Sequence, residues 1–255
     1  MNTFVNKLLN ICQLEEAARR DHWLNRIHPL VKLMLTIIYI VLLTSVEQYN
    51  LQRVLILGIY PVLLLVISDL PLKMLLPKLI VPSLLGISLG LLNPLLDPRQ
   101  LHIAEGIYIS AGWLSLTTLF VKSIWLVLSA LMLVVTTPIE DIVFALERLK
   151  VPKIMCVQVL LTFRYITILV TETERIILAY SMRSGGKRSI DLKAWGPLIG
   201  QLFLSASKKS VMLYEAMKLR GFDGQIRSKE YKVKVIDGIY MCSWIVIFKL
   251  LVGVW

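Results

Sequence analysis

Two arginines stand in near-matching surroundings 37 residues apart: Arg183 in "LAYSMRSGG" and Arg220 in "LYEAMKLRGFDG". Ala179 precedes the first, and Ala216 the second, by about one helical turn. Each arginine follows an apolar residue, Met182 or Leu219, and precedes a small one, Ser184 or Gly221. Such a guanidinium has two uses. In a last helical turn it complements the partial negative charge of unpaired carbonyls, with glycine as the left-handed cap beyond it. Flanked by small residues, it can also enter a groove on another protein and grip carboxylates through its planar fork. The residues alone leave both uses open.

The elements that must position these arginines are helices. "TPIE" at 137–140 reads as a capping box with proline at the first helical position, the Thr137 hydroxyl accepting from the Glu140 amide and Pro138 opening the helix. The helix that follows carries Ile142, Leu146 and Leu149 on one side and stops before Pro152. A longer helix is expected from about Lys153 to Arg183, stopped by Gly185 and Gly186, and a third from near Pro197 to Gly221. No β-alternation of useful length is present, so the expected fold class is all-α.

Composition fixes the solvent. With 56% hydrophobic and 18% charged residues and a mean hydropathy of +0.71, the chain lies well outside the soluble range of about 45–50% apolar and about 25% charged. It reads as an integral membrane protein. Apolar segments at 30–46, 54–68, 79–92, 107–136 and 235–255 are expected to span, the second and third kinked by Pro61 and Pro82 and the fourth long enough to tilt or to break near Lys122. Residues 1–29 form no signal peptide and suit an amphipathic interfacial segment, with Phe4, Leu8 and Ile11 on one face.

The net charge of +11 is concentrated between apolar runs, the pattern of cytoplasmic loops and not of a nucleic-acid footprint. Residues 137–234 hold 17 of the 28 basic and 9 of the 17 acidic residues, which places that block in the cytoplasm. Counting back through four spans places the N-terminus, with Arg19, Arg20, Arg26 and Lys32, on the same side, together with the loop carrying Lys73 and Lys78. In the rival reading, 154–170 is itself a span, which would take Arg164 into the bilayer. A helix at the membrane face, with Arg164 reaching headgroups or a partner, is preferred.

Other chemistry is thin. Cys12, Cys156 and Cys242 show no metal or disulfide spacing, and His22, His28 and His102 are far apart and near interfaces. No cofactor is implied. The spans offer almost none of the nucleophiles or carboxylates that an intramembrane enzyme needs, and Asp97 and Glu105 are a lone pair in an outside loop. Lys122 reads as a lysine paired with a carboxylate or backbone carbonyl inside the bundle. No Walker loop occurs, so energy must come from another chain.

At residues 136–184, "TTPIEDIVFALERLKVPKIMCVQVLLTFRYITILVTETERIILAYSMRS", the chain resembles the transmembrane T component of energy-coupling-factor ABC transporters, the CbiQ/EcfT family. The TTP, the Leu-x-x-Leu-x-Val-Pro turn before Lys153, the Arg164–Tyr165 pair and the glutamate-bearing approach to the first arginine carry the resemblance. "EAMKLRGFDG" resembles the family's second arginine motif in its cobalt/nickel branch, and "NRIHPLVKLML" at 25–35 its entry to the first span. The first motif departs from the pattern in reading Met-Arg-Ser where Ala-Arg-Gly is common, and Lys122 stands where the family often has arginine.

The resemblance implies a scaffold in a bacterial or archaeal cytoplasmic membrane, embedded in the lipid bilayer and not itself catalytic. It would clamp a substrate-binding membrane subunit, of S or CbiM-like type, and dock on two cytosolic ABC ATPase subunits through helix ends carrying Arg183 and Arg220. The expected organisation is therefore an interfacial segment at 1–29, four spans within 30–136, a cytoplasmic coupling region at 137–234 and a last span at 235–255. The alternatives are a membrane scaffold or permease without ATPase partners and a vitamin-type T component.

Overall fold

A computed structural model describes residues 27–68, 72–96, 100–104, 107–185, 190–224 and 234–253. The expected interfacial helix before residue 27, His22, Cys12 and the loop carboxylates Asp97 and Glu105 lie outside these residues. The elements are α1 (Pro29–Ser45), α2 (Leu51–Leu57), α3 (Ile59–Ile67), α4 (Leu72–Gly90), α5 (Asn93–Leu96), β1 (Gln100–Ala104), β2 (Ile107–Ser110), α6 (Ala111–Thr136), α7 (Ile139–Arg148), α8 (Lys153–Arg183), α9 (Leu192–Leu219) and α10 (Val235–Gly253). The architecture is that of an all-α membrane protein, with one small antiparallel hairpin in which Leu101 pairs with Ile109 and His102 with Tyr108. That hairpin takes the first residues of the apolar run expected to span from 107, so the helix starts at Ala111. It then continues unbroken past Lys122.

The described residues fall into two compact units, one of 27–137 with 234–253, the other of 138–224. In the first, α6 is the central helix, in contact with α1 through α5. The core is aromatic where α1, α3 and α10 meet: the Tyr39 and Tyr60 rings lie 4.6 Å apart, and Trp244 meets Tyr60 edge-on at 4.7 Å. Tyr39, Leu35, Leu43 and Met132 have no exposed surface. Inside a bilayer hydrophobic transfer no longer drives helices together, so close packing of such shapes is what holds them.

Two lysines fasten α1 to α6. Lys32, near the start of α1, donates to the Thr136 carbonyl at the end of α6 at 2.9 Å. Lys122, midway along α6, donates to the Thr44 and Val46 carbonyls at the end of α1, at 2.8 and 2.9 Å. The helices are antiparallel, and each supplies an ammonium to the other's unpaired C-terminal carbonyls, the groups every helix leaves unsatisfied. The expected carbonyl partner of Lys122 is thereby identified.

The same end of this unit gathers two helix starts. Asp237, in the first turn of α10, accepts from the backbone N–H of Lys234 at 2.8 Å, the inward half of a capping box. Its other oxygen accepts from the N–H of His28, the N-cap of α1, at 2.9 Å. His28 Nδ1 in turn accepts from the Leu30 N–H. A single buried carboxylate thus joins α1 and α10, and Lys32, one turn further on, joins α1 to α6.

Several sequence expectations are corrected in their boundaries. The segment expected to span from 54 begins at Leu51 and is broken at Gly58, where the Trp125 indole lies 2.5 Å from where a Cβ would stand. Helix α4 starts at Leu72 with Pro77 and Pro82 inside it, so Lys73 and Lys78 belong to the helix and not to a preceding loop.

At the start of α7 the Thr137 hydroxyl does not cap the helix. Pro138 is itself the N-cap, its carbonyl accepting from Asp141 and Ile142, while the buried Thr137 hydroxyl has no hydrogen-bond partner among the described residues. Proline in the N-cap slot moves the helix start one residue on, out of reach of the hydroxyl. The buried face of α7 is Val143, Phe144 and Ala145, with Ile142 and Leu146 at its margins, and α7 packs against α8. Lys150 takes a positive φ of 64° in the turn between them. Helix α9 begins at Leu192, five residues before the expected start at Pro197, which lies inside it.

Candidate functional site

Both arginine ends lead into a glycine of positive φ, one residue after Arg220 and two after Arg183. After α9 the chain closes in a Schellman turn: Phe222 N–H donates to the Met217 carbonyl and Gly221 N–H to the Lys218 carbonyl, both at 3.0 Å. Gly221 has φ +75°, the left-handed conformation that this closure requires and that glycine adopts without a Cβ penalty. At the end of α8, Ser184 N–H donates to the Tyr180 carbonyl, its hydroxyl donates to the Ser181 carbonyl, and Gly185 has φ +68°. Backbone and hydroxyl groups therefore supply hydrogen bonds to terminal carbonyls at both ends.

The arginines are left over from this closure. Arg183 and Arg220 are exposed, and neither guanidinium has a hydrogen-bond or ion-pair partner among the described residues. The apolar residues before them are uncovered as well, Met182 to 74% and Leu219 to 90%. Ala179 and Ala216, one turn back, are exposed, leaving room beside each arginine. Arg164 is exposed midway along α8 next to the partly exposed Phe163. Each end is thus an exposed cation beside an uncovered hydrocarbon side chain, on a helix terminus closed by its own backbone.

One ion pair joins the helices behind these ends. Lys209 of α9 donates to the Glu172 carboxylate of α8 at 2.7 Å. The hydrogen bond from Lys209 holds the Glu172 carboxyl below the usual carboxylate range. A second tie joins the end of α8 to the start of α9, where Asp191 N–H donates to the Tyr180 hydroxyl at 3.4 Å. Sequence reasoning passed over Glu172 and Lys209, although they are spaced by the same 37 residues as the arginines. It passed over Asp237 too, whose burial is legible only once α1 and α10 are brought together.

By length and apolarity α6 and α8 are both able to cross a membrane, and 29–45, 51–67 and 75–88 form shorter apolar helices. No group of three His, Cys, Asp or Glu that could hold a metal ion occurs among the described residues.

The comparisons with known proteins agree with one another. The transmembrane protein EcfT of the energy-coupling factor transporter from Ruminiclostridium cellulolyticum is 25% identical over 256 aligned residues, covering 89% of this chain and 92% of its own length. Its namesake from Leuconostoc gelidum is 25% identical over 231 residues, 84% of each chain. The namesake from Staphylococcus aureus is 30% identical over 142 residues, 51% of this chain and 49% of its own. The family model CbiQ, described as "Cobalt transport protein", matches residues 20–231. That match takes in both arginine ends, the helices behind them and most of the membrane bundle, and the chain belongs to the CbiQ family of energy-coupling-factor transmembrane T components.

Proposed function

We propose that this chain couples two cytosolic ABC ATPases to a substrate-binding membrane subunit, and that Met182, Arg183 and Ser184 at one helix end and Leu219, Arg220 and Gly221 at the other are the points of attachment. The observation that carries this reading is the pair of exposed guanidiniums, without a partner among the described residues, at helix ends already closed by their own backbone. A cation needed only to finish a helix would lie against the terminal carbonyls. These two are free to enter acidic grooves, with Met182 and Leu219 losing exposed apolar surface on docking.

The test is a pull-down of ATPase subunits by the membrane chain, with its abundance held constant. Removing either arginine leaves a partner carboxylate unpaired at a buried contact, at a cost of about 2–5 kcal/mol. Arg183→Glu and Arg220→Glu are each expected to weaken retention, and the double change to abolish it. Undiminished retention by the double variant overturns the reading.

In this reading residues 137–234 and the N-terminus are cytoplasmic, and α8 lies at the membrane face without crossing. The charge asymmetry supports that side, and so does the gathering of the α1 start, the α6 end and the α10 start around Lys32 and Asp237. The description of the matching family, "Cobalt transport protein", favours cobalt as the cargo, and a CbiM-like subunit would then deliver it, with nickel as the neighbouring case. A vitamin-type module is the second reading. Mild-detergent purification with identification of the co-purifying chains separates the two.

A further inference from the structure

We propose that Glu172 and Lys209 are positioning residues that fix the register of α8 against α9, and so hold the two arginine ends at equal reach from one point of contact. The inference rests on the coupling reading and adds to it the element that sets the spacing of the two attachment points.

Three observations carry it. Glu172 stands eleven residues before Arg183, and Lys209 eleven residues before Arg220. At about 1.5 Å per residue each arm is about 16 Å of helix. The ion pair is therefore the point from which the two ends are equidistant along their helices. Two like ATPases present two like sockets, and matched arms let both be filled together.

The second observation is how little else fixes these helices. No residue of α9 is buried, and α8 buries only Cys156, Val157 and Ile176. Interlocking side chains normally set the register of a helix pair, and here few interlock. One short ion pair then decides between neighbouring registers, much as a single polar residue fixes register in a coiled coil.

The third is the construction of the contact. The Glu172 carboxylate is held from α9 by the Lys209 ammonium at 2.7 Å, with the positive charge of Arg175 on its own helix adding to the field around it. Side-chain exposures of 30% for Lys209 and 22% for Glu172 leave the pair partly shielded from water. A surface ion pair of this kind adds little to stability. A hydrogen-bonded pair this short does favour the one register in which its two groups meet.

The test uses the full chain with its native cysteines replaced and spin labels at Ser181→Cys and Lys218→Cys, just behind the two ends. Distances are read by pulsed electron paramagnetic resonance in the chain alone and in the assembled complex. Glu172→Lys and Lys209→Glu should each broaden the distance distribution and lower transport per ATP hydrolysed about tenfold. The exchanged pair Glu172→Lys/Lys209→Glu should restore the narrow distribution and most of the transport. Glu172→Gln, which keeps the size and a hydrogen-bonding oxygen, should fall between, and serves if a reversal does not fold.

An unchanged distribution in the reversed or neutral variants overturns the proposal, as does an exchanged pair that folds and stays broad. Neither result bears on ATPase retention by the parent chain. Failure of the coupling reading shows instead in the pull-down of the arginine variants, with the label distances unaffected.

Discussion

Lys32 and Lys122 cap one another's helices: the first reaches from α1 to the Thr136 carbonyl that ends α6, the second from α6 to the Thr44 and Val46 carbonyls that end α1. An intramembrane lysine invites a functional reading. Here both ammonium groups are donors to groups that helix geometry leaves open.

Replacing Lys122 by methionine keeps the length and removes the donor. The Thr44 and Val46 carbonyls then lose their partner, at an expected cost of about 1–3 kcal/mol. Thermal unfolding of the purified chain in detergent should show the loss, with Lys122→Arg recovering most of it. A Lys122→Met variant as stable as the parent would show that these contacts contribute nothing.

Asp237→Ala removes the acceptor shared by the His28 and Lys234 N–H groups at a site only 3% exposed. One buried donor, the His28 N–H, is orphaned, and a second, part-buried one at Lys234 turns to water, so a loss of about 1–3 kcal/mol is expected. Limited proteolysis should report it as earlier cleavage near residue 234, and protection equal to the parent would count against the shared cap.

Glycine substitutions should divide by surroundings. A Cβ at Gly112 would meet the Pro94 Cα at 2.4 Å and the Asn93 carbonyl oxygen at 2.7 Å, so Gly112→Ala has to displace backbone and should cost about 1–3 kcal/mol. At Gly200, inside α9, nothing lies within 4 Å, and Gly200→Ala should raise helix stability by about 0.5–1 kcal/mol. Unfolding midpoints of the two variants moving in the same direction would contradict this division.

Cysteine labelling from either side of the membrane tests the arrangement of the chain. Positions 209 and 227 should react only with reagent that reaches the cytoplasm, and a cysteine placed after Trp255 only from outside. External labelling at 209 would reverse the orientation and remove the ATPase from reach.

Calorimetry on the purified chain should find no stoichiometric sub-micromolar nickel or cobalt site, because ligand atoms have to converge in number to hold such an ion. A tight site on this chain alone would move cargo recognition onto the scaffold.

How much of this was legible in the sequence differs by region. Lys153 and Arg183 bound α8 as read from Pro152 and the glycine pair, because proline and glycine punctuate a helix through local sterics alone. Pro138 and Pro197 misled, since proline tolerates several places near a helix start and only the surrounding chain selects one. The Gly58 break depends on the Trp125 indole filling the space of a side chain, a contact between residues 67 apart that no local pattern encodes. The arginine ends were readable as a repeated pattern, but their being free of the helix carbonyls was not. That follows from the Schellman closure and from Ser184, which are matters of backbone geometry.

Helix α9 has no buried residue, with Leu192 at 93% and Phe203 at 70% exposure. An uncovered apolar surface of that kind marks a contact to be filled, and a chain left without that contact is exposed to aggregation and proteolysis. Copies synthesised in excess of whatever covers α9 should therefore be short-lived, and the cellular amount of this chain should track that of its assembly partners through turnover, with no regulator dedicated to the purpose.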